Sequence, residues 1–299
     1  MSTILPIAIF LPLIAALLMG RDRELAPRFA LVATIATFAV AMLPTSRFFL
    51  NSRTDANTVF DLPWISNSFG AFEVRFTVAL DELSVWPFAL TCLIMLFVTT
   101  TLNRKNDGKE AGYYRLLLII QTGFLGLFAA RDALLFFVFY TSITIPFFFL
   151  LGIHGQKRRR TAMRFICLET GGTTAVLLGL LPIAAMTQYA AIAPASVSSG
   201  LRLGIFLILV AGFTVRLITP PFVAHIQSNG NIFDTICGFT PAILLSISAV
   251  YGAFRFTPLL LTDPSASACP WALGFMTGGA ICAGMYCVVL FWVQEGGSA

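Results

Sequence analysis

The chain has 299 residues, of which 58% are hydrophobic and only 11% are charged, and its formal net charge is +5. Its mean hydropathy of +0.86 excludes an ordinary soluble domain and predicts an integral membrane protein. The basic residues give a sequence pI near 9.0, which we attribute to membrane topology and not to nucleic-acid binding.

Apolar runs of about the length needed to cross a bilayer recur along the whole chain. They cover residues 3–20, 29–43, 80–102, 113–130, 133–153, 162–186, 203–222, 232–254 and 271–293. We therefore predict one all-α membrane domain, residues 1–299, built as a bundle of about nine transmembrane helices, of which 29–43 is the shortest. No basic residue precedes the first run, so we expect a retained helix and not a cleaved signal peptide.

Basic residues indicate the orientation of the predicted bundle. Of the 19 Lys and Arg residues, 12 follow the first, third and fifth runs, and these three loops fall on one side of the membrane. The positive-inside rule places that side in the cytoplasm or the matrix, with the N-terminus opposite. The residues are Arg21, Arg23, Arg28, Arg104, Lys105, Lys109, Arg115, Lys157, Arg158, Arg159, Arg160 and Arg164.

The longest polar stretch lies between the second and third runs, at residues 44–77. Within it, residues 72–76 alternate between apolar and charged side chains, as is typical of a strand. We expect a short hairpin on the outer face of the membrane.

Arg216 lies inside the apolar run 203–222, four residues before the pair Pro220-Pro221. A charge at membrane depth is costly and usually functional. The two prolines remove backbone donors, so we predict one discontinuous helix at this point, with freed carbonyls lining a polar cavity. A buried cation beside a broken helix indicates an ion path.

The six cysteines and two histidines do not predict a metal or redox centre. No two cysteines form a CxxC pair, and five lie in or at the ends of apolar runs, where cysteine acts as a small hydrophobe. No glycine-rich nucleotide loop is present. We expect no catalytic residue, bound metal or bound cofactor in this chain, and structural lipids around it.

Several motifs in a fixed order resemble one family. They are LDELSVWPF at 80–88, ALLFFVFY at 133–140, Ile145-Pro146, LLGIHG at 150–155, TAMRF at 161–165, Val215-Arg216 with Pro221-Phe222, and YGAFR at 251–255. Together they are similar to the antiporter-like subunits of respiratory complex I, and most to its subunit 4, called NuoM in bacteria. The resemblance is strongest over residues 76–255.

This resemblance implies a role in proton movement. Family members carry buried acids and lysines across the membrane midplane and bind neither NADH nor quinone. The resemblance also implies that NADH, FMN, iron–sulfur clusters and ubiquinone are used by other subunits of the complex. Its implied location is the mitochondrial inner membrane, with the bacterial plasma membrane as the alternative.

At the proton-carrying positions this chain departs from the family pattern. The substituted positions are Thr141 and Gln121 in place of glutamates, and Arg164, Arg216 and Ser246 or Ile247 in place of lysines. Threonine cannot carry the charge, and arginine keeps its proton, so it can hold an electrostatic field but is a poor proton carrier. The chain's own pumping is therefore in question.

Two further residues are candidates for a proton path. Glu169 in the sixth run could replace a lost acid, or it could neutralise an arginine within the bundle. His225 could titrate near neutrality, or it could satisfy a loop carbonyl near the proline pair. Charged residues near helix ends are interpreted as structural: Asp81, Glu82, Arg131, Asp132 and Asp234.

Length is the second departure, because the resemblance implies a family protein with two inverted repeats. The chain reaches only the start of the second repeat after residue 293, so we expect another polypeptide to supply that half or the half-channel to be absent. Small residues at Gly171-Gly172, Gly278-Gly279 and Gly284 are expected to permit close helix or lipid contacts.

Three functions remain open at this point. The first is a membrane-arm subunit of proton-pumping NADH:ubiquinone oxidoreductase, itself without a redox site, with other membrane-arm subunits and lipids as partners. The second is a subunit of a related cation/proton antiporter or membrane-bound hydrogenase. The third is a scaffold that keeps the fold and has lost transport.

Overall fold

The computed structural model describes residues 3–20, 22, 24–50, 59–65, 74–105, 111–152, 156–188, 199–227 and 232–256. Apart from one short hairpin, its elements are helices: α1 Ile4–Leu18, α2 Ala26–Leu50, α3 Val85–Lys105, α4 Ala111–Ala129, α5 Ala133–Gly152, α6 Gln156–Gln188, α7 Ser199–Gln227 and α8 Ile232–Phe256. Each of the first eight predicted runs overlaps one of these helices. The ninth predicted run, 271–293, lies outside the described residues.

Six segments of the described helices are long and apolar enough to cross a membrane. They are Ala26–Phe49, Val85–Asn103, Ala111–Ala129, Ala133–Leu151, Ala162–Ala185 and Gly200–Leu217. Two shorter apolar helical segments accompany them, Ile4–Leu18 and Ile243–Phe256. The chain is a multi-pass membrane protein.

The predicted end of the second helix at residue 43 is wrong. Helix α2 has 25 residues and continues through Pro44 to Leu50. A proline removes a single donor, and the polar residues after it use acceptors of their own helix. Thr45 Oγ1 donates to the carbonyl of Ala41 at 2.8 Å, and Ser46 Oγ donates to that of Leu43 at 3.1 Å. These hydroxyls are satisfied within the helix, and its last turn also carries Phe49, whose ring lies 5.4 Å from that of Trp86.

The predicted discontinuity at the proline pair is also absent. The backbone of α7 is helical from Ser199 to Gln227 and passes through Pro220 and Pro221 without a gap. Two prolines remove two N–H donors, but they do not force the chain out of helical dihedral angles, because their fixed φ is close to the helical value. The helix continues beyond them.

The predicted hairpin is confirmed. Strand β1, Phe60–Ile65, pairs with β2, Val74–Val78, in antiparallel register, and the register shifts between Pro63 and Ile65. The end of β2 joins the α4–α5 connection: Ala79 N–H donates to Ala129 at 2.9 Å, and Arg131 N–H donates to Thr77 at 3.0 Å. The hairpin is therefore attached by backbone hydrogen bonds to the start of α5.

The described helices fall into two compact units, with α1–α5 and the hairpin in the first and α6, from Arg160, to α8 in the second. In the first unit α4 packs against α1, α2, α3 and α5 and is the most enclosed helix. Gly123 and Gly126 on α4 face Ile143 and Phe139 of α5, where an added Cβ would overlap those side chains. Glycine at both positions allows α4 and α5 to pack closely.

Candidate site: a buried ion pair between two helices

In the second unit, helices α6 and α7 touch through glycines. A Cβ added to Gly172 would lie 2.8 Å from Val215 Cβ and 3.1 Å from the carbonyl oxygen of Gly212. A Cβ added to Gly212 would lie 2.8 Å from the carbonyl oxygen of Gly172. Real Cβ atoms do not approach backbone atoms so closely, so only glycine permits this contact. We call the approach of Gly172 and Gly212 the glycine contact.

The two helices run antiparallel. Further along α6, Gly179 faces Leu209, which precedes Gly212 on α7. In the other direction, Glu169 on α6 meets Arg216 on α7. Both charged residues lie about one helical turn from the glycine contact, three residues before Gly172 and four after Gly212. The glycine contact and the charged residues therefore share one face of each helix.

Glu169 and Arg216 form an ion pair, in which Arg216 Nε donates to Glu169 Oε1. The side chains are almost fully enclosed, with relative exposures of 2% for Glu169 and 0% for Arg216. Both residues belong to segments long enough to span the membrane. Burying an isolated charge at such a position costs roughly several kcal/mol of desolvation free energy. Pairing offsets much of that cost, and it explains why the two charges occur together.

One oxygen of this carboxylate is not used by the pair. Glu169 Oε2 is buried and has no hydrogen-bond partner among the residues that the structure describes. An ionised carboxylate offers acceptor sites on both oxygens. Oε2 is therefore the atom of this site at which a proton or a polar hydrogen could be bound while Oε1 stays on Arg216.

The structure places the other predicted site residues on three helices. Arg164 lies on α6 and its side chain is exposed. Thr141 lies on α5 in the first unit, and its hydroxyl donates to Phe137 at 3.1 Å and Val138 at 2.9 Å on its own helix. Pro220 and Pro221 lie within the continuous part of α7. The His225 side chain is outside the described part of the chain.

Two further polar side chains are buried at positions that the resemblance associates with proton transfer. Gln121 on α4 is 1% exposed, and within the described residues its Nε2 has no acceptor. Ser246 on α8 is 8% exposed, and its Oγ likewise has no described partner. Buried threonines behave differently, because Thr34, Thr37 and Thr99 each donate to a carbonyl four residues earlier. Unsatisfied buried amides and hydroxyls are rare and costly.

A second ion pair lies at the edge of the first unit. Arg131, in the α4–α5 connection, pairs with Asp81, which precedes α3. Their side chains are 41% and 22% exposed. The neighbouring Asp132 accepts backbone hydrogen bonds from the first turn of α5, which lower its pKa, but partial burial has the larger effect and raises the pKa above its ordinary value. We call Asp81–Arg131 the edge pair.

The sequence missed Gly212 entirely, although it predicted a close contact at Gly171-Gly172. Gly172 makes that contact, whereas a Cβ added to Gly171 would meet nothing within 4 Å. The available signal was weak, because a glycine within an apolar run has several ordinary explanations. Within the described residues, no group of three or more His, Cys, Asp or Glu side chains is arranged to hold a metal ion.

Comparison with known proteins identifies relatives over most of the chain, although no protein-family model matches it. The chain is 27% identical to NAD(P)H-quinone oxidoreductase chain 4, chloroplastic, from Lemna minor over 219 residues, which are 71% of this chain and 43% of that protein. It is 28% identical to the same chain from Citrus sinensis over 234 residues, covering 74% and 44% respectively. The chain thus spans less than half the length of these relatives.

Two solved structures share the fold. One is the membrane-bound sulfane sulfur reductase, an archaeal respiratory membrane complex, with a TM-score of 0.72, 19% identity and coverage of 97% of this chain and 51% of that one. The other is the Mrp complex from Dietzia sp., with a TM-score of 0.63, 17% identity and coverage of 96% and 34%. At these identities the likeness concerns the fold.

Proposed function

We propose that this chain, a divergent relative of chain 4 of NAD(P)H-quinone oxidoreductase, is a membrane-arm subunit of a proton-pumping complex I-type oxidoreductase. The observation that carries the proposal is the alignment to that chain over 71% to 74% of the present sequence. The six segments able to span a membrane and the fold shared with a respiratory membrane complex add support. The chain has no redox role of its own in this proposal.

Within such a subunit the buried pair is the centre of the electrostatics. Arg216 stays charged at any physiological pH, so it supplies a fixed positive field and does not carry protons. Glu169 is the member that can accept a proton, at Oε2, while Oε1 remains on the guanidinium. Arg164, His225 and Thr141 are secondary candidates, of which Thr141 contributes a hydroxyl and no charge.

The same geometry favours a second function, a non-pumping scaffold. The buried pair is neutral as a whole, and the Thr141 hydroxyl is engaged on its own helix. Charges that neutralise each other within the bundle suit a structural spacer. The two functions agree on membership of the complex and differ only in whether Glu169 changes its protonation state.

The partners and cofactors follow from the first proposal. The partners are other membrane-arm subunits and membrane lipids, without nucleic acid. NADH, FMN, iron–sulfur clusters and ubiquinone are used in other subunits. We propose the mitochondrial inner membrane as the location, with the bacterial plasma membrane as the alternative; because the relatives are chloroplastic, organelle fractionation must include chloroplasts where the source has them.

Membership is tested by purifying the chain, tagged in its native source, and identifying what accompanies it. We expect redox subunits that bind NADH or FMN and carry iron–sulfur clusters. Recovery with antiporter subunits alone would support a cation/proton antiporter, and recovery with a hydrogenase would support that related assembly. Either of these two results overturns the first proposal.

The role of the pair is tested in the assembled complex. Arg216→Leu should disturb assembly or coupling, whereas the same substitution at Arg28, which is exposed on α2, serves as the control for loss of a basic residue on a membrane helix. Normal growth, assembly and pumping in Arg216→Leu would refute a role for the pair. Glu169→Gln separates the two functions: normal assembly with fewer protons moved per electron supports a relay, and an unchanged ratio supports the scaffold.

A further inference from the structure

We propose that Gly172 and Gly212 are positioning residues for the buried pair. The contact between their backbones sets the separation of α6 and α7 at which the Glu169 carboxylate meets the Arg216 guanidinium. The inference rests on the geometry of the two helices and does not depend on which complex contains the chain.

The first step of the argument is the nature of the glycine contact. At Gly212, an added Cβ would meet Val176 Cγ2 at 2.7 Å and two backbone atoms, the Gly172 oxygen at 2.8 Å and the Val176 nitrogen at 2.9 Å. Backbone atoms of a helix cannot rotate away as a side chain can, so a methyl group here must push the two helices apart. At Gly172 the nearest atoms belong to the Val215 side chain, at 2.8 and 2.9 Å, with the Gly212 oxygen at 3.1 Å. A methyl group there has a smaller effect.

The second step concerns how a change in helix separation at the glycine contact would affect the hydrogen bond between Arg216 and Glu169. Glu169 and Arg216 lie about one turn from the glycine contact, so a separation imposed at the glycines is transmitted almost fully to them. N–H···O hydrogen bonds have donor–acceptor distances of about 2.7–3.2 Å. A displacement of about 1 Å therefore exceeds what the Nε–Oε1 bond tolerates without new side-chain rotamers. Because both side chains are buried, alternative rotamers must fit among packed neighbours.

The chain itself offers matched controls. Gly171 is adjacent to Gly172 on the same helix, yet a Cβ there would meet nothing within 4 Å. Gly171→Ala therefore changes composition and helix propensity by the same amount as Gly172→Ala but leaves the helix separation alone. The compensating change is Val215→Gly, which removes the side-chain atoms that an alanine at position 172 would meet.

The experiment is a double-mutant cycle on the full chain, purified in lipid nanodiscs. Glu169→Gln, Arg216→Gln and their combination are made in four backgrounds: wild type, Gly171→Ala, Gly172→Ala and Gly172→Ala with Val215→Gly. The coupling of the pair is measured as a ratio of unfolding equilibrium constants. We expect about tenfold coupling in the wild type and in Gly171→Ala, clearly weaker coupling in Gly172→Ala, and recovery with Val215→Gly.

This readout distinguishes positioning from general packing. If the glycines only fill space, Gly172→Ala lowers stability but keeps the wild-type coupling, and the proposal is overturned. It is overturned equally if Gly171→Ala abolishes the coupling. Should Gly172→Ala fail to fold, the cycle is made in Gly179→Ala, whose added Cβ would meet side-chain atoms of Leu209 on α7: coupling below the wild-type value supports the proposal, and wild-type coupling contradicts it. Gly212→Ala, which meets backbone atoms, should fold less well than Gly172→Ala.

Discussion

The edge pair and the buried pair have the same chemistry in different surroundings. Arg131 and Asp81 are 41% and 22% exposed, whereas Arg216 and Glu169 are 0% and 2% exposed. Water can screen and replace the first pair, so its net contribution is small. Water cannot reach the second pair in this way, because its side chains are enclosed, and loss of one partner leaves an uncompensated charge. The comparison teaches that the exposure of an ion pair, more than the contact itself, decides how much its loss lowers the stability of the fold.

The largest effect is expected when the buried pair is broken from one side. Arg216→Gln should lower the free energy of unfolding by about 3–5 kcal/mol, because Glu169 is left charged and enclosed. The measurement is reversible unfolding of the purified chain in mixed micelles. Arg131→Gln is the matched control at the edge pair, and equal losses in the two variants would contradict the comparison.

The next effect is the recovery when both buried charges are removed together. In Glu169→Leu with Arg216→Leu, the free energy of unfolding should return to the wild-type value or exceed it by about 1–4 kcal/mol, because desolvation of two charges is avoided. The same unfolding assay applies. A double variant as unstable as Arg216→Gln would mean that the pair itself, and not the cost of an unpaired charge, stabilises the fold.

A smaller effect is expected at the edge pair. Arg131→Gln should cost about 0–1 kcal/mol, and the cost should shrink as salt rises toward about 1 M, where screening is effective over a few ångströms. Unfolding measured across a salt series checks this. The loss in Arg216→Gln should hardly change in the same series, since buried charges are screened much less.

The smallest effect concerns Asp132, beside the edge pair. Its pKa is raised in the folded chain, mainly by burial, so the folded state binds this proton more tightly than the unfolded state. The contribution to stability is present below the ordinary pKa of 3.8 and is lost as pH rises through the raised value. Asp132→Asn should flatten the pH dependence in that window. An unchanged pH profile would assign the dependence to other groups.

Much of the fold could be predicted because helix location depends on local apolar runs. Eight runs and the hairpin were located in this way. The end of α2 could not be predicted, because hydroxyl groups of Thr45 and Ser46 bond to their own helix and allow a polar segment to remain helical. The continuity of α7 was also missed, because helical φ is compatible with Pro220 and Pro221.

The site was half predictable. Arg216 stands out in any apolar run, and a nearby acid such as Glu169 was an obvious partner to consider. The pairing itself joins residues 47 positions apart, and no local pattern specifies which charges meet at that separation. Gly212 could not be predicted for the same reason, because the need for glycine at this position comes from the backbone of Gly172 in another helix. Asp81 likewise pairs with Arg131 through contacts that only the folded chain brings together.

The enclosure of α4 has a consequence for how a chain of this kind varies. Of the six spanning segments, Ala111–Ala129 is the least apolar and also the most enclosed. Where the surrounding solvent is hydrocarbon, outward positions demand oily side chains, and inward positions are free to hold glycine, tyrosine or glutamine. Hydropathy alone does not report exposure, because the most apolar segment, Ala133–Leu151, is the second most enclosed of the six. In α4 low hydropathy and enclosure occur together, so a single substitution on this helix has many neighbours to disturb.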